Sequence, residues 1–146
     1  DTYIPESTFI YNKSVEEIIE QLKKTPYCHE QDNALYLDME PFGIQGRNTK
    51  FFFLRSDGTT LYATRDIAYH QWKARHADLL VNVLGEDHKL ESKQVKVALE
   101  LLQTNILPYV VFYAFVSLPG GKMSTRQGRV VYANQRCAEV IGYSRE

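Results

Sequence analysis

The sequence has no apolar run long enough to cross a bilayer, and its first residues lack the basic-then-apolar pattern of a signal peptide. It contains only two cysteines, Cys28 and Cys137, which stand far apart without the paired spacing of a zinc site. No internal repeat or low-complexity segment is visible in the chain. These absences argue against a membrane or zinc protein and favour a reduced, cytoplasmic setting.

An excess of charge of one sign is also missing, because the formal net charge of the 146-residue chain is −1. Any contact with nucleic acid therefore needs a local basic patch. Apolar residues make up 44% of the chain, which is enough for a globular domain with a sizeable core. The chain does not begin with Met, so we expect it to be a piece of a longer protein.

The first part of the chain, residues 1–48, is expected to form a helix and a hairpin. Ser14 and Glu17 have the spacing of a capping box at a helix N-terminus. Apolar residues then recur at helical spacing: Val15, Ile18, Ile19 and Leu22. The segment "ALYLDM" alternates between apolar and polar residues as a strand does.

The following part alternates between strand and helix patterns. The segments "KFFFLRS" and "TTLYAT" flank Asp57-Gly58, a dipeptide favoured in hairpin turns. Amphipathic helices are predicted near 65–76 and 89–103, and strands buried on both faces near 79–84 and 110–118. This order is typical of an α/β fold with a mainly parallel sheet.

Polar residues follow both buried strands. "GEDH" comes directly after the first strand, and "GGKMS" comes shortly after the second. Ligands of parallel sheets bind at the carboxyl ends of the strands, where these residues lie. The pattern suggests a nucleotide site without specifying one.

Two stretches resemble a known family. "LRSDGTTLYATRDIAYH", Leu54 to His70, is similar to the signature that arginyl-tRNA synthetases carry around the arginine pocket, and "GGKMSTRQG" resembles the Lys-Met-Ser loop of class I synthetases. "VLGEDH" lies between them, in the family's order. The resemblance covers roughly residues 1–132. It implies that residues 1–48 end a connecting insertion, and that residues 49–132 form the second half of a Rossmann-like nucleotide-binding domain.

The resemblance implies a ligase reaction. Such enzymes join arginine to ATP, release pyrophosphate, and pass the arginyl group from the adenylate to the terminal adenosine of tRNA. Mg²⁺ accompanies the ATP, and family members generally need bound tRNA before they activate arginine. The expected partners are therefore arginine, ATP and tRNA, with no membrane.

The arginine pocket is expected at Tyr62 and Asp66. A carboxylate can read the planar fork of a guanidinium through paired charged hydrogen bonds. If Tyr62 begins a helix, Asp66 projects to the same side, because residues four apart share a helix face. By resemblance these two residues are the substrate pair and Asp87 is a third wall. A purely structural alternative makes Asp66 a favourable charge near a helix N-terminus and Tyr62 a core residue.

The nucleotide is expected to meet two groups of residues. The resemblance assigns the adenosine side to Gly85 and Glu86, with His88 as a weaker candidate. In the loop, Lys122 would place its charge on the triphosphate as negative charge develops, next to Met123, and Ser124 would add a hydroxyl donor. Thr125 stands where the fuller motif has a second lysine, so which cation acts second stays open.

The sequence also departs from the family pattern. It contains no His-x-Gly-His element, which the family carries upstream of the segments matched here. After "GRVVY" the family would run into an acidic helix, whereas residues 133–146 resemble the first residues of a PAS sensor domain. A divergent helix or an artificial junction would also explain this tail. Two alternatives to a ligase fragment therefore remain: a non-catalytic module that binds nucleotide or tRNA, and a sensory fragment.

Overall fold

The computed structural model describes residues 3–5, 7–46 and 49–114. By its internal contacts the chain divides into two units, Asp1–Tyr113 and Ala114–Glu146, and only Ala114 of the second unit lies among the described residues. The helices and strands of the first unit are α1 (Ser7–Tyr11), α2 (Ser14–Lys23), β1 (Cys28–Gln31), β2 (Ala34–Asp38), β3 (Lys50–Leu54), α3 (Tyr62–Ala74), β4 (Val81–Gly85), α4 (Lys89–Leu101) and β5 (Tyr109–Tyr113). Short 3₁₀ turns follow β2 and β4, at Glu40–Phe42 and Glu86–His88.

Helix α2 has the predicted apolar face but not the predicted cap. The face is buried in the core, as its spacing indicates: Val15, Ile18, Ile19 and Leu22. The predicted capping box is wrong, because Ser14 already lies inside the helix and Lys13 holds the N-cap position with a φ of 63°. The side chain of Asn12 accepts hydrogen bonds from the Ser14 backbone N–H and hydroxyl, at 3.0 and 2.6 Å. An earlier polar residue thus takes the capping role that the pattern gave to Ser14.

The three-stranded sheet is antiparallel, in the order β1–β2–β3. The β1–β2 hairpin turns at Asp32 and Asn33, which both have positive φ, 51° and 63°. Two successive residues of positive φ characterise the tight hairpin turn whose twist suits the flanking strands, and Asp and Asn tolerate this conformation. Strand β3 pairs with β2, so backbone hydrogen bonds join residues on both sides of the boundary predicted near residue 48.

The hairpin predicted around Asp57-Gly58 is only partly present. The chain does turn there, with Gly58 at a φ of 79°, but its second arm pairs through one bridge, Thr60 with Leu54. The strand predicted from "TTLYAT" is wrong, because α3 already begins at Tyr62. The hydroxyl of Thr64 fixes this helix to the sheet by donating a 2.7 Å hydrogen bond to the Phe53 carbonyl.

Strands β4 and β5 form the predicted parallel pair, and α4 lies between them in the chain. An α/β arrangement with a small parallel sheet is therefore present. The prediction that these strands are buried on both faces is wrong for their described residues. Alternate side chains are exposed over half or more of their area: Val81, Val83, Tyr109, Val111 and Tyr113. One face of the pair packs toward the interior while the other carries these apolar side chains.

The main core lies between the helices and the antiparallel sheet. Its largest fully buried side chains come from both halves of the first unit: Phe9, Leu22, Phe53, Ile67 and Leu99. Helix α3 packs against both α2 and α4, which places its first turn near the carboxyl end of β4. Among the described residues, no helix is both long enough and apolar enough to span a bilayer.

Candidate functional site

The first turns of α3 bring two predicted site residues together. Tyr62 is the first residue of the helix, after Leu61 in an extended conformation, and Asp66 follows one turn later. Both side chains line the same cavity, as residues four apart on a helix can. Tyr62 is 59% exposed, and the Asp66 side chain is 46% exposed. Both groups are therefore accessible to a ligand, and Tyr62 is not a core residue.

The cavity has a volume of about 220 Å³ and is formed by α3, α4 and the parallel strand pair. Its ionisable and amide side chains come from α3, β4, the 3₁₀ turn after β4 and the start of α4: Tyr62, Asp66, His70, Asn82, His88 and Glu91. Its apolar walls include Leu84, Val95 and Val110. A concave site with apolar walls and a few convergent polar groups is the usual form of a small-molecule site.

A second cavity, of about 270 Å³, shares two of these residues. Tyr62 and Asp66 line it together with Ile4, Phe9, Arg65 and Tyr69. The Tyr62–Asp66 pair therefore borders two hollows, and a ligand held by the pair can extend into either of them.

Glu91 adds a second carboxylate to the first cavity. Its side chain is 23% exposed, and Oε2 lies 3.2 Å from Nδ1 of His88. The negative charge of Glu91 raises the pKa of Tyr62, with burial and a hydrogen bond between the two side chains acting in the same direction. With Asp66 on α3 and Glu91 on α4, the cavity has carboxylates on two walls. This arrangement complements a ligand that carries two separate positive groups.

The residues after β4 are arranged around its last residue, Gly85. A side chain at Gly85 would place its Cβ 2.5 Å from Oδ1 of Asp87, so this carboxylate lies against the glycine. Asp87 Oδ2 is 3.7 Å from His88 Nε2, and Glu86 forms a 2.7 Å ion pair with Lys89. Of these predicted residues, only His88 lines the 220 Å³ cavity. The roles of Gly85, Glu86 and Asp87 stay predictions.

The Lys-Met-Ser segment lies outside the described residues. This applies to Lys122, Met123 and Ser124 and to the end of the second predicted strand, residues 115–118. Within the described ranges, no group of three or more His, Cys, Asp or Glu side chains is arranged to hold a metal ion.

Comparison with known proteins identifies the family. Residues 2–145 match the profile described as "tRNA synthetases class I (R), catalytic domain". The chain belongs to this family. The resemblance inferred from the two sequence stretches is thus confirmed, and the match includes residues 133–145, for which the sequence analysis left several origins open.

Relatives of the arginyl-tRNA synthetase family match nearly all of the chain. The arginine–tRNA ligase of Methanothermobacter thermautotrophicus is 48% identical over 128 residues, which are 88% of this chain and 22% of that protein. The corresponding ligase of Methanocaldococcus jannaschii is 42% identical over 146 residues, 100% of this chain and 25% of that protein. The chain therefore spans about a quarter of the length of these curated relatives.

The fold is shared with a solved arginyl-tRNA synthetase. The structure of the Thermus thermophilus enzyme aligns with a TM-score of 0.66 at 22% identity, over 82% of this chain and 27% of that chain. At this identity the comparison concerns the fold alone.

Three cavity residues of this synthetase segment were not singled out from the sequence: His70, Asn82 and Glu91. His70 closes the "TRDIAYH" stretch, and Glu91 lies one helical turn after His88, so their positions gave a weak signal. Asn82 gave none, because a single amide in an apolar strand has no distinguishing pattern. They come together only because β4 and α4 pack beside α3.

Proposed function

We propose that the chain is part of the catalytic domain of an arginine–tRNA ligase. The parent enzyme activates arginine with ATP to arginyl-adenylate and transfers the arginyl group to tRNA in the cytoplasm. Family membership over residues 2–145 supports this function. The observation that carries it is the cavity whose carboxylates, Asp66 and Glu91, stand on two different helices.

Arginine suits this cavity because it carries two cationic groups at opposite ends. We assign the guanidinium to Asp66, with Tyr62 beside it, since a carboxylate can accept two parallel N–H bonds from the planar fork. Glu91 is then available to the α-ammonium group. Hydrogen bonds to charged groups contribute about 1.5–3 kcal/mol each, so two such contacts would account for selective binding of arginine.

ATP is placed at the carboxyl end of the parallel strands. Gly85 and Glu86 are assigned to the adenosine, because they end β4 and follow it directly. His88 borders both the proposed adenosine site and the proposed arginine site, because it follows the end of β4 and lines the arginine cavity. This placement belongs to the Rossmann-like arrangement that the family implies.

The Lys-Met-Ser loop supplies the groups that act on the phosphates in this proposal. Lys122 and Ser124 would stabilise charge on the departing pyrophosphate, and Met123 would lie beside the nucleotide. Mg²⁺ enters as the ion bound to the ATP substrate.

The experiment compares Asp66→Asn with wild type in the full-length parent protein, using arginine-dependent ATP–pyrophosphate exchange with tRNA present. An amide cannot offer two anionic oxygens, so KM for arginine should rise by roughly tenfold or more. KM for ATP should stay within about twofold. Asp78→Asn is the matched control, because Asp78 is exposed and lies after the end of α3.

Two results would contradict this proposal. If the wild-type protein shows no arginine-dependent exchange, it is a non-catalytic module and not a ligase. If Asp66→Asn raises KM for ATP while that for arginine stays the same, Asp66 belongs to the nucleotide side of the site.

A further inference from the structure

His70 is a buried histidine in the wall of the arginine cavity. It lies one turn after Asp66 on α3, and its side chain is 3% exposed. Its Nδ1 is 2.8 Å from the backbone carbonyl oxygen of Asp66 and 3.4 Å from Oδ1 of the same residue. Because carbonyl and carboxylate oxygens accept hydrogen bonds, Nδ1 must carry a proton.

The other ring nitrogen faces two donors. Asn82 Nδ2 lies 2.7 Å from Nε2 of His70, and Lys73 Nζ lies 3.3 Å from it. Lys73 Nζ is also 3.4 Å from Asn82 Oδ1, which orients the amide with its NH₂ group toward the histidine. An ammonium and an amide NH₂ only donate, so Nε2 must accept. The neighbours of the ring therefore define one tautomer.

Lys73 is the third member of this network. Burial lowers its pKa, and the Asp66 carboxylate acts in the opposite direction. The ammonium also lies over the ring of Tyr69, 4.4 Å from its centroid. Lys73 is thus held by Asn82, His70 and Tyr69 together, which leaves the imidazole little freedom to turn.

We infer that His70 is a positioning residue for Asp66: the histidine, held by Asn82 and Lys73, fixes the carboxylate at the angle from which it reads the ligand. This inference rests on the proposed function, because it takes Asp66 as the group that meets the guanidinium. The buried Nδ1 of His70 approaches both the backbone carbonyl and the carboxylate of Asp66.

The physical effect is one of preorganisation. An exposed carboxylate rotates freely about its side-chain bonds, and a bidentate contact with a guanidinium needs one orientation. A second residue that holds the first in place spares the ligand this ordering cost. The link from Asp66 through His70 to Asn82 also ties the arginine side of the cavity to β4, whose end is proposed to meet the nucleotide.

A second histidine, just after the end of α3, provides a matched control for His70. His76 follows α3, and its Nδ1 lies 2.7 Å from the Trp72 carbonyl oxygen four residues earlier. This is the backbone contact that His70 makes with Asp66. His76 is exposed, however, and its ring stacks on Trp72 at a centroid distance of 4.2 Å. It lies outside the two cavities described above.

The test uses two substitutions of His70 in the full-length protein. In His70→Asn the amide nitrogen can take the place of Nδ1 and keep the donor to Asp66. In His70→Gln the longer amide reaches the place of Nε2 and loses that donor. We expect His70→Gln to raise KM for arginine about tenfold, because the Asp66 carboxylate loses the N–H group that lies 3.4 Å from its Oδ1. His70→Asn should raise KM for arginine by less than about threefold. Both His70 variants should leave KM for ATP within about twofold of wild type. The control, His76→Gln, should leave both KM values within about twofold.

A merely structural role gives a different pattern. It would change both KM values together, or change them equally in His70→Asn and His70→Gln, and either result overturns the inference. If wild-type protein shows no arginine-dependent exchange, the proposed function itself fails, whereas an active wild type without the Gln–Asn difference overturns only the positioning role.

A second measurement does not depend on the kinetics of either variant. Nitrogen NMR of wild-type protein labelled at histidine distinguishes the two tautomers, with His70 assigned by its loss in a variant. A proton on Nδ1 and none on Nε2 supports the inference, and a proton on Nε2 overturns it.

Discussion

Glu91 is an acidic residue of the cavity that was not expected from the sequence. Asp87 was expected as a third wall of the arginine pocket, and that role stays a prediction. In the structure Asp87 lies against Gly85, and Glu91 lines the cavity with Tyr62 and Asp66. The chain makes a 3₁₀ turn at Glu86–His88 before α4 begins. The residue that faces the cavity is therefore a later one, Glu91. The effect of Glu91 on the pKa of Tyr62 can be measured without any ligand.

Replacing Glu91 by Gln should lower the pKa of Tyr62 toward its ordinary value. The carboxylate raises that pKa chiefly through its negative charge, and the neutral amide removes this contribution. The measurement is an NMR titration of tyrosine rings labelled with ¹³C, with Tyr62→Phe identifying the signal.

Glu100→Gln is the control for this titration, because Glu100 is an exposed residue of the same helix, away from the cavity. An unchanged Tyr62 titration in Glu91→Gln would show that burial, not charge, governs this tyrosine.

Helix α3 is the element on which the site depends, and a side chain of its first turn is hydrogen-bonded to the sheet. Tyr62 and Asp66 face the cavity while Ile67 and Ala68 are buried in the core. The fully buried Thr64 donates its hydroxyl to the carbonyl of Phe53 in β3, an edge strand of the sheet. An edge strand leaves some of its backbone groups unpaired, and here a helix side chain satisfies one of them.

Thr64→Val should therefore destabilise the chain by about 1–3 kcal/mol, because it keeps the side-chain shape and leaves a buried carbonyl without its donor. Thr64→Ser retains the hydroxyl and should cost less. Urea denaturation followed by circular dichroism measures the free energy of unfolding.

Thr8→Val provides the comparison, since Thr8 is exposed on α1 and its substitution should stay within about 0.5 kcal/mol of wild type. Equal stability of Thr64→Val and wild type would mean that the Phe53 carbonyl finds another donor.

At the scale of the whole molecule, the first unit has an unusual sheet face on its β4–β5 pair. Val83 is 64% exposed, Tyr109 68% and Val111 53%, all on one side of the β4–β5 pair. Contiguous exposed apolar patches of this kind are rare in proteins that function alone. The chain also spans about a quarter of the length of its curated relatives. Both observations agree with the proposal that the 146 residues work as part of a longer enzyme.

The isolated chain should then produce no arginyl-adenylate at a useful rate. It lacks the His-x-Gly-His element that the family uses with the Lys-Met-Ser loop, and positioning of reactants can supply several kcal/mol of a barrier. Purified chain and full-length parent protein are compared in arginine-dependent ATP–pyrophosphate exchange. Robust exchange by the isolated chain, after contaminating host enzyme has been excluded, would contradict this expectation.

Much of the fold follows from local pattern in the sequence. The apolar face of α2, the helical spacing of α3 and α4 and the order of the parallel pair were predicted correctly, because each depends on the spacing of neighbouring residues. The same local signals misplaced the cap of α2 and the strand before α3. Asn12 caps α2 in place of Ser14, and α3 already begins at Tyr62, inside the segment expected to be a strand.

The sequence by itself determined the family, through its motif stretches, and the pairing of Tyr62 with Asp66, through their four-residue spacing. Only the tertiary structure decided which other groups surround that pair. Glu91, His70 and Asn82 come from three different elements, and nothing in their local spacing relates one to another. They meet because α3 packs against α4 and beside β4, and packing between distant segments is set by the shape and burial of whole faces. The charge of the cavity and the orientation of its histidine are therefore properties of the folded chain.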